Sequence, residues 1–108
     1  MNVLLRPQRN LDIKGASVLQ QKVESLLPIA ENASWAIDLI EVNAIDHYGL
    51  TALVEIRKKA RENGCRLYLF NLKQPVRDLL EITGLDKEFK ILESLDIAFS
   101  SKIRLVLC

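Results

Sequence analysis

Three chemically capable side chains stand in a row at Asp46, His47 and Tyr48, with the hydroxyl of Thr51 one turn further on. They fall inside Val42–Leu53, where an apolar strand pattern ends, turns and becomes a helix pattern. A strand end feeding a helix start gathers free backbone N–H groups and the positive end of a helix dipole at one exposed spot, so this turn is expected to receive an anion or a partner's acidic group. His47 is the only histidine. A lone imidazole in a turn reads as a surface group, a partner contact or a pH-sensitive element titrating near pH 6.5. A metal site would need further ligands, and Cys65 and Cys108 offer no Cys-x-x-Cys spacing and no histidine cluster. Cys65 reads as a small buried hydrophobe with no histidine near it in sequence, and nothing resembles a nucleophile elbow or a phosphate-cradling glycine loop. These residues point to binding without catalysis, cofactor or metal.

Composition narrows the partner. With 108 residues, 49% of them hydrophobic, the chain suits one domain over residues 1–108, with a core of about 3–99 and a tail at 100–108. Fifteen basic and 14 acidic residues give a formal net charge of +1, so no whole-chain field recruits nucleic acid or an anionic membrane. The N-terminus lacks a basic region followed by an apolar run, and no apolar stretch approaches the roughly 20 residues of a membrane span. The expectation is a cytoplasmic protein with no direct membrane insertion.

The elements that must position the turn alternate between strand and helix. Val3-Leu4-Leu5 reads as a short strand stopped by Pro7, and Leu11-Asp12-Ile13 as a second. Gly15 then introduces a helix with Leu19, Val23, Leu26 and Leu27 as its apolar stripe, Ser17 as a cap and Pro28 near its end. Trp35–Ile40 is apolar and rich in β-branched or aromatic residues, as a buried strand requires. Asp38 interrupts it, and is either a satisfied structural acid or part of a site. The following helix, from about Gly49 to Glu62, buries Gly49, Leu53, Ile56 and Ala60 and ends at Asn63-Gly64. Cys65–Phe70 reads as a central strand parallel to 35–40 through a right-handed crossover. A helix follows, opened by Gln74-Pro75, buried through Val76, Leu79 and Leu80, and stopped by Gly84. Phe89–Leu92 is a short strand and Ser94–Phe99 a closing helix with Ser94 as its cap. In the tail, Ile103, Leu105 and Leu107 alternate with Arg104 and Val106, so the segment is either an extra strand, within or between chains, or a frayed end.

The order of these pieces resembles a known family. Asp46-His47-Tyr48-Gly49-Leu50, the run Asn63–Asn71 and the run Leu79–Lys87 are together similar to the STAS domain of sulfate transporters and bacterial anti-sigma factor antagonists, a likeness spanning about Leu11 to Phe99. It implies an α/β fold in which about four α-helices pack on a single layer of mixed central sheet. It also implies a binding module. In the family's regulatory members a kinase that doubles as the anti-sigma factor phosphorylates a serine or threonine between the Asp and the Gly, and the phosphorylated antagonist lets go. A phosphate of roughly −1.5 to −2 charge at a fitted surface can break such a contact.

This chain departs from the usual Asp-Ser-Ser-Gly-Leu at its two middle positions. Tyr48 occupies the phosphorylation-equivalent position, and its hydroxyl lies a whole ring further from the backbone than that of serine. The serine phosphoswitch is therefore expected to be absent while the protein-binding role remains. The surface expected to hold the partner is Asp46, His47, Tyr48, Gly49, Thr51, Glu55, Lys58 and Lys59. Two partners fit it: a serine kinase-like anti-sigma regulator, or a subunit of a membrane system transporting a lipid or anion. A small anionic molecule at the helix N-terminus is the third possibility.

Overall fold

Strand β1 (Asn2–Arg6) leads through α1 (Ile13–Leu26) to β2 (Ser34–Asp38), α2 (His47–Glu62) and β3 (Arg66–Phe70). The chain continues through α3 (Gln74–Thr83), a 3-10 turn at Leu85–Lys87, β4 (Lys90–Leu92) and β5 (Ile103–Leu107). The structure, a computed structural model, describes residues 2–27, 33–93 and 103–108.

The strands form one sheet in the order β4-β3-β2-β1-β5. Every pairing within it is parallel, so the mixed sheet expected from the resemblance is corrected. The reason lies in the connections: β1 to β4 are joined through α1, α2 and α3 in turn, and a helical crossover returns the chain in the same direction. β3 is interior but not central; β2 holds the centre, and all five of its residues are buried. The apolar tail run is β5, hydrogen-bonded beside β1 over its whole length, with Leu105 opposite Leu4. The described residues hold three α-helices rather than four, and the helix expected over Ser94–Phe99 lies outside them.

Side chains alternate across the sheet. One face carries Val3, Leu5, Trp35, Ile37, Leu67 and Leu69 into the main core, which takes Leu19 and Val23 from α1, Leu53 and Ile56 from α2, and Val76 and Leu80 from α3. The other face holds the smaller cluster Leu4, Ala36 and Phe70. Each aliphatic side chain buried completely in this way stabilises the fold by roughly 1.5–3 kcal/mol. α3 begins at Gln74, with Pro75 in its first turn, and stops at Gly84, whose φ of 76° lies in the left-handed region.

The segment before α1 departs most from its pattern. Leu11-Asp12-Ile13 is not a strand: Leu11 makes a single parallel bridge to Ile45, Asp12 is the N-cap of α1, and Ile13 is already helical. Asp12 Oδ1 accepts from the Gly15 N–H at 2.9 Å, so Asp12 and not Ser17 caps the helix. Two apolar residues around one acid mimic a period of two, yet Ile13 points outward at 61% exposure.

Candidate functional site

The Leu11–Ile45 bridge sets two helix starts side by side. Leu11 N–H donates to the Ala44 carbonyl at 3.1 Å, and Asp46 N–H donates to the Leu11 carbonyl at 3.2 Å. Asn10 Oδ1 accepts from the N–H groups of Asn43 and Ala44, which fastens the β2–α2 loop from below. α2 can lie this close only because residue 49 is glycine. A Cβ there would run into the Leu11 carbonyl oxygen and stand 2.5 Å from Ile45 Cγ1.

Asp38 fastens the same loop from the sheet. Its carboxylate, 2% exposed, accepts from Arg6 Nε at 2.9 Å, Asn71 Nδ2 at 3.0 Å and the Ile40 N–H at 3.0 Å. Of the two readings open for this acid the structure therefore supports the satisfied structural one: charge-assisted bonds from three segments tie β1, β2 and the residue after β3 together.

At the head of α2, Asp46 is the N-cap, and its Oδ1 accepts from the Tyr48 N–H at 2.9 Å and the Gly49 N–H at 3.2 Å. The protein's own carboxylate thus fills the position where the bare turn was expected to receive an anion. Asp46 and Gly49 position the helix, and Gly49 is buried. His47 and Tyr48 instead project into solvent as a pair, ring centroids 4.0 Å apart at 35°, with Tyr48 45% exposed.

The remaining expected residues divide. Thr51, Glu55 and Lys58 are exposed, and helical spacing aligns them on one face. Lys59 turns toward α1 and binds Glu24 at 2.5 Å, and that hydrogen bond and charge hold its ammonium pKa above the ordinary value. Lys59 therefore links α1 to α2 through a surface ion pair.

Sequence reasoning missed Ile13, Ser17, Gln20 and Val54. The first three line an open groove of about 400 Å³ between α1 and α2, walled on the other side by His47, Tyr48, Thr51 and Ala52. Val54 is 39% exposed, beside Lys58 on the outer face of α2. The signal that could have found the α1 wall was Asp12, a helix cap three residues before Gly15, which moves Ile13 to the first helical position and Ser17 one turn further along the same exposed face, out of the core. Among the described residues no three of His, Cys, Asp and Glu gather as a metal site, and no helix is long and apolar enough to cross a membrane.

A parallel sheet carrying a capped Asp-x-x-Gly-Leu turn at the head of the helix after its central strand defines a class of protein. The STAS domain model matches residues 2–98, and the chain belongs to the STAS domain family. Among solved structures it is similar to a Thermotoga maritima protein described as a candidate anti-sigma factor antagonist, with 24% identity and a TM-score of 0.74 over 89% of this chain and 83% of the other. An NMR structure of the same protein gives 28% identity and a TM-score of 0.76, covering 89% and 78%. A sulfate transporter family protein from Wolinella succinogenes shares the fold at 16% identity, with a TM-score of 0.66 over 90% and 80%.

Proposed function

We propose that this chain, a single STAS domain over residues 1–108, is a cytoplasmic protein-binding regulator of the anti-sigma factor antagonist type, with no catalytic activity or cofactor of its own. Its partner is a serine kinase-like anti-sigma regulator, which docks on the His47–Tyr48 pair, the α1–α2 groove and the outer face of α2. The observation that carries this reading is the exposed aromatic pair at the head of α2, beside an open groove with Ile13 on its wall. A tyrosine combines a large rigid contact area with a polar tip, which suits it to the centre of an interface. Thr51, Val54, Glu55 and Lys58 extend that surface along the helix.

In this reading the switch by serine phosphorylation is absent. The family's acceptor position holds Tyr48, and its amide, not its hydroxyl, is what the Asp46 cap fixes. The similarity to a sulfate transporter family protein favours a second reading, in which the same surface grips a subunit of a lipid or anion transport system constitutively.

Charge reversal separates the surface from the fold. Lys58→Glu changes an exposed side chain that forms no ion pair among the described residues, so it should leave the melting temperature within about 2 °C while weakening capture of the natural partner at least tenfold in isothermal titration. Unchanged affinity would remove this face. A kinase as the partner recovered from the native host supports the first reading, and a permease subunit the second.

A further inference from the structure

The opposite end of α2 carries a second concavity, between its last turns and the starts of β3 and β4. Four cations surround it: Arg57 and Arg61 from α2, Arg66 from β3 and Lys90 from β4. Among the described residues its one carboxylate is Glu88, which lies 3.4 Å from Arg57. The side chains of Arg61, Arg66 and Lys90 have no hydrogen bond or ion pair among the described residues. Ala60, Leu67 and Phe89 make the floor. The space is about 180 Å³, equivalent to roughly six liquid waters at about 30 Å³ each and below the range of about 300 Å³ and upward that holds drug-sized ligands.

Among the described residues, a chain whose net charge is only +1 gathers four cations against one acid here, around an apolar floor. Basic side chains near a helix C-terminus ordinarily complement its dipole. In α2 that work is already done. Asn63 N–H and Nδ2 donate to the Lys59 carbonyl, Cys65 N–H donates to Ala60 and Gly64 N–H to Arg61, so the carbonyls of Lys59, Ala60 and Arg61 are closed by the chain itself. Arg61, Arg66 and Lys90 are exposed, so their charged heads are open to an anion from solvent. Planar guanidinium forks match carboxylate and phosphate oxygens in bidentate fashion.

We propose that this concavity binds a small organic anion, a carboxylate or phosphate oxyanion carried on a short apolar body that rests on Leu67 and Phe89. The oxyanion sits among Arg61, Arg66 and Lys90. Arg57, held by Glu88, fixes the wall. The site is separate from the partner surface and stands whether or not that surface binds a kinase.

The test is an NMR titration of the full-length, 15N-labelled chain with phenyl phosphate, benzoate, inorganic phosphate and benzyl alcohol, at ionic strength held constant with chloride. Saturable shifts are expected at the amides of Arg61, Arg66, Leu67 and Phe89 with phenyl phosphate or benzoate, at dissociation constants of a few millimolar or tighter. The tighter of the two names the oxyanion. The double variant Arg61→Gln/Arg66→Gln should weaken binding at least tenfold. Both side chains stand at the surface end of their elements, and Lys90→Gln serves the same comparison should the double variant lose its dispersed spectrum. Three results overturn the proposal: shifts that never saturate, equal affinity in the variant, or benzyl alcohol or inorganic phosphate binding as tightly as phenyl phosphate.

Discussion

One helix, α2, presents opposite chemistries at its two ends. At its N-terminus the backbone N–H groups are answered by the protein's own carboxylate, Asp46, and the exposed surface beside it is aromatic and nearly uncharged. At its C-terminus the carbonyls are closed by Asn63, Gly64 and Cys65, and the exposed surface is a ring of cations over an apolar floor. In both places the chain satisfies the helix terminus internally, which releases the neighbouring side chains for other tasks. A large, shallow, neutral groove suits a protein surface, whereas a smaller cationic hollow suits a compact anion.

Gly49→Ala should break the comparison most severely. With a Cβ against the Leu11 carbonyl and Ile45, α2 must move away from the α1 start, at a cost of about 3 kcal/mol. Urea unfolding should show a lower midpoint, and the groove should lose partner binding with it. A midpoint unchanged from wild type would mean that the close approach of α2 is not what fixes the N-terminal end.

Removing the cap is gentler. Asp46→Ala orphans the Tyr48 and Gly49 N–H groups and should destabilise by about 1 kcal/mol, while Asp46→Asn, which can still accept at the same place, should recover most of the loss in the same unfolding experiment. An equal loss in both would indicate that the negative charge, rather than the cap geometry, holds the helix end.

Smaller still is Tyr48→Ser, an exposed turn substitution expected to stay within about 0.5 kcal/mol. Its value lies in the chemistry it installs. Wild-type protein incubated with its cognate kinase and ATP should gain no mass, and the serine variant should gain one phosphate. Stoichiometric phosphate on wild-type Tyr48 or Thr51 would show that the switch has shifted along the helix instead of vanishing.

The mildest effect is confined to alkaline solution. Burial pushes the Cys108 thiol, beside the C-terminal end of β1, up to about 11, and pushes the Cys65 thiol at the cationic hollow upward as well. A thiol whose folded pKa is raised keeps its proton longer in the native state than in the unfolded chain, so stability falls as pH rises through the unfolded value near 8.5 and goes on falling up to the folded one. Lys59, raised by Glu24, adds a loss in the same direction at still higher pH, because its ion pair disappears with its proton. The thermal midpoint should therefore decline between about pH 9 and 11, and Cys108→Ser should flatten the decline.

Local pattern carried a definite part of this protein. The strand around Ala36 and Ile37, the helix closing at Asn63-Gly64, the strand Arg66–Phe70 and the helix from Gln74 to Gly84 all follow from periodicity and stop signals, because burial on one face leaves its period in the chain. The turn at Asp46–Leu50 was legible as a strand end feeding a helix start, but its cap was not: the bare N-terminus expected to receive an anion is filled by Asp46, and the helix starts at His47 rather than at about Gly49. The sequence was misleading at Leu11-Asp12-Ile13, where three residues are too few to distinguish a strand from a bridge followed by a cap. Tertiary structure alone decided which elements are neighbours. Only the α1–α2 packing makes Ile13 and Tyr48 walls of one groove and turns Lys59 toward Glu24, and only the strand pairing of the sheet sets β5 beside β1. The hollow at the other end draws its cations from positions 57, 61, 66 and 90, on a helix and two strands that no local period connects. Their proximity is a property of parallel crossovers, in which a helix end and the following strand starts return to the same edge of the sheet.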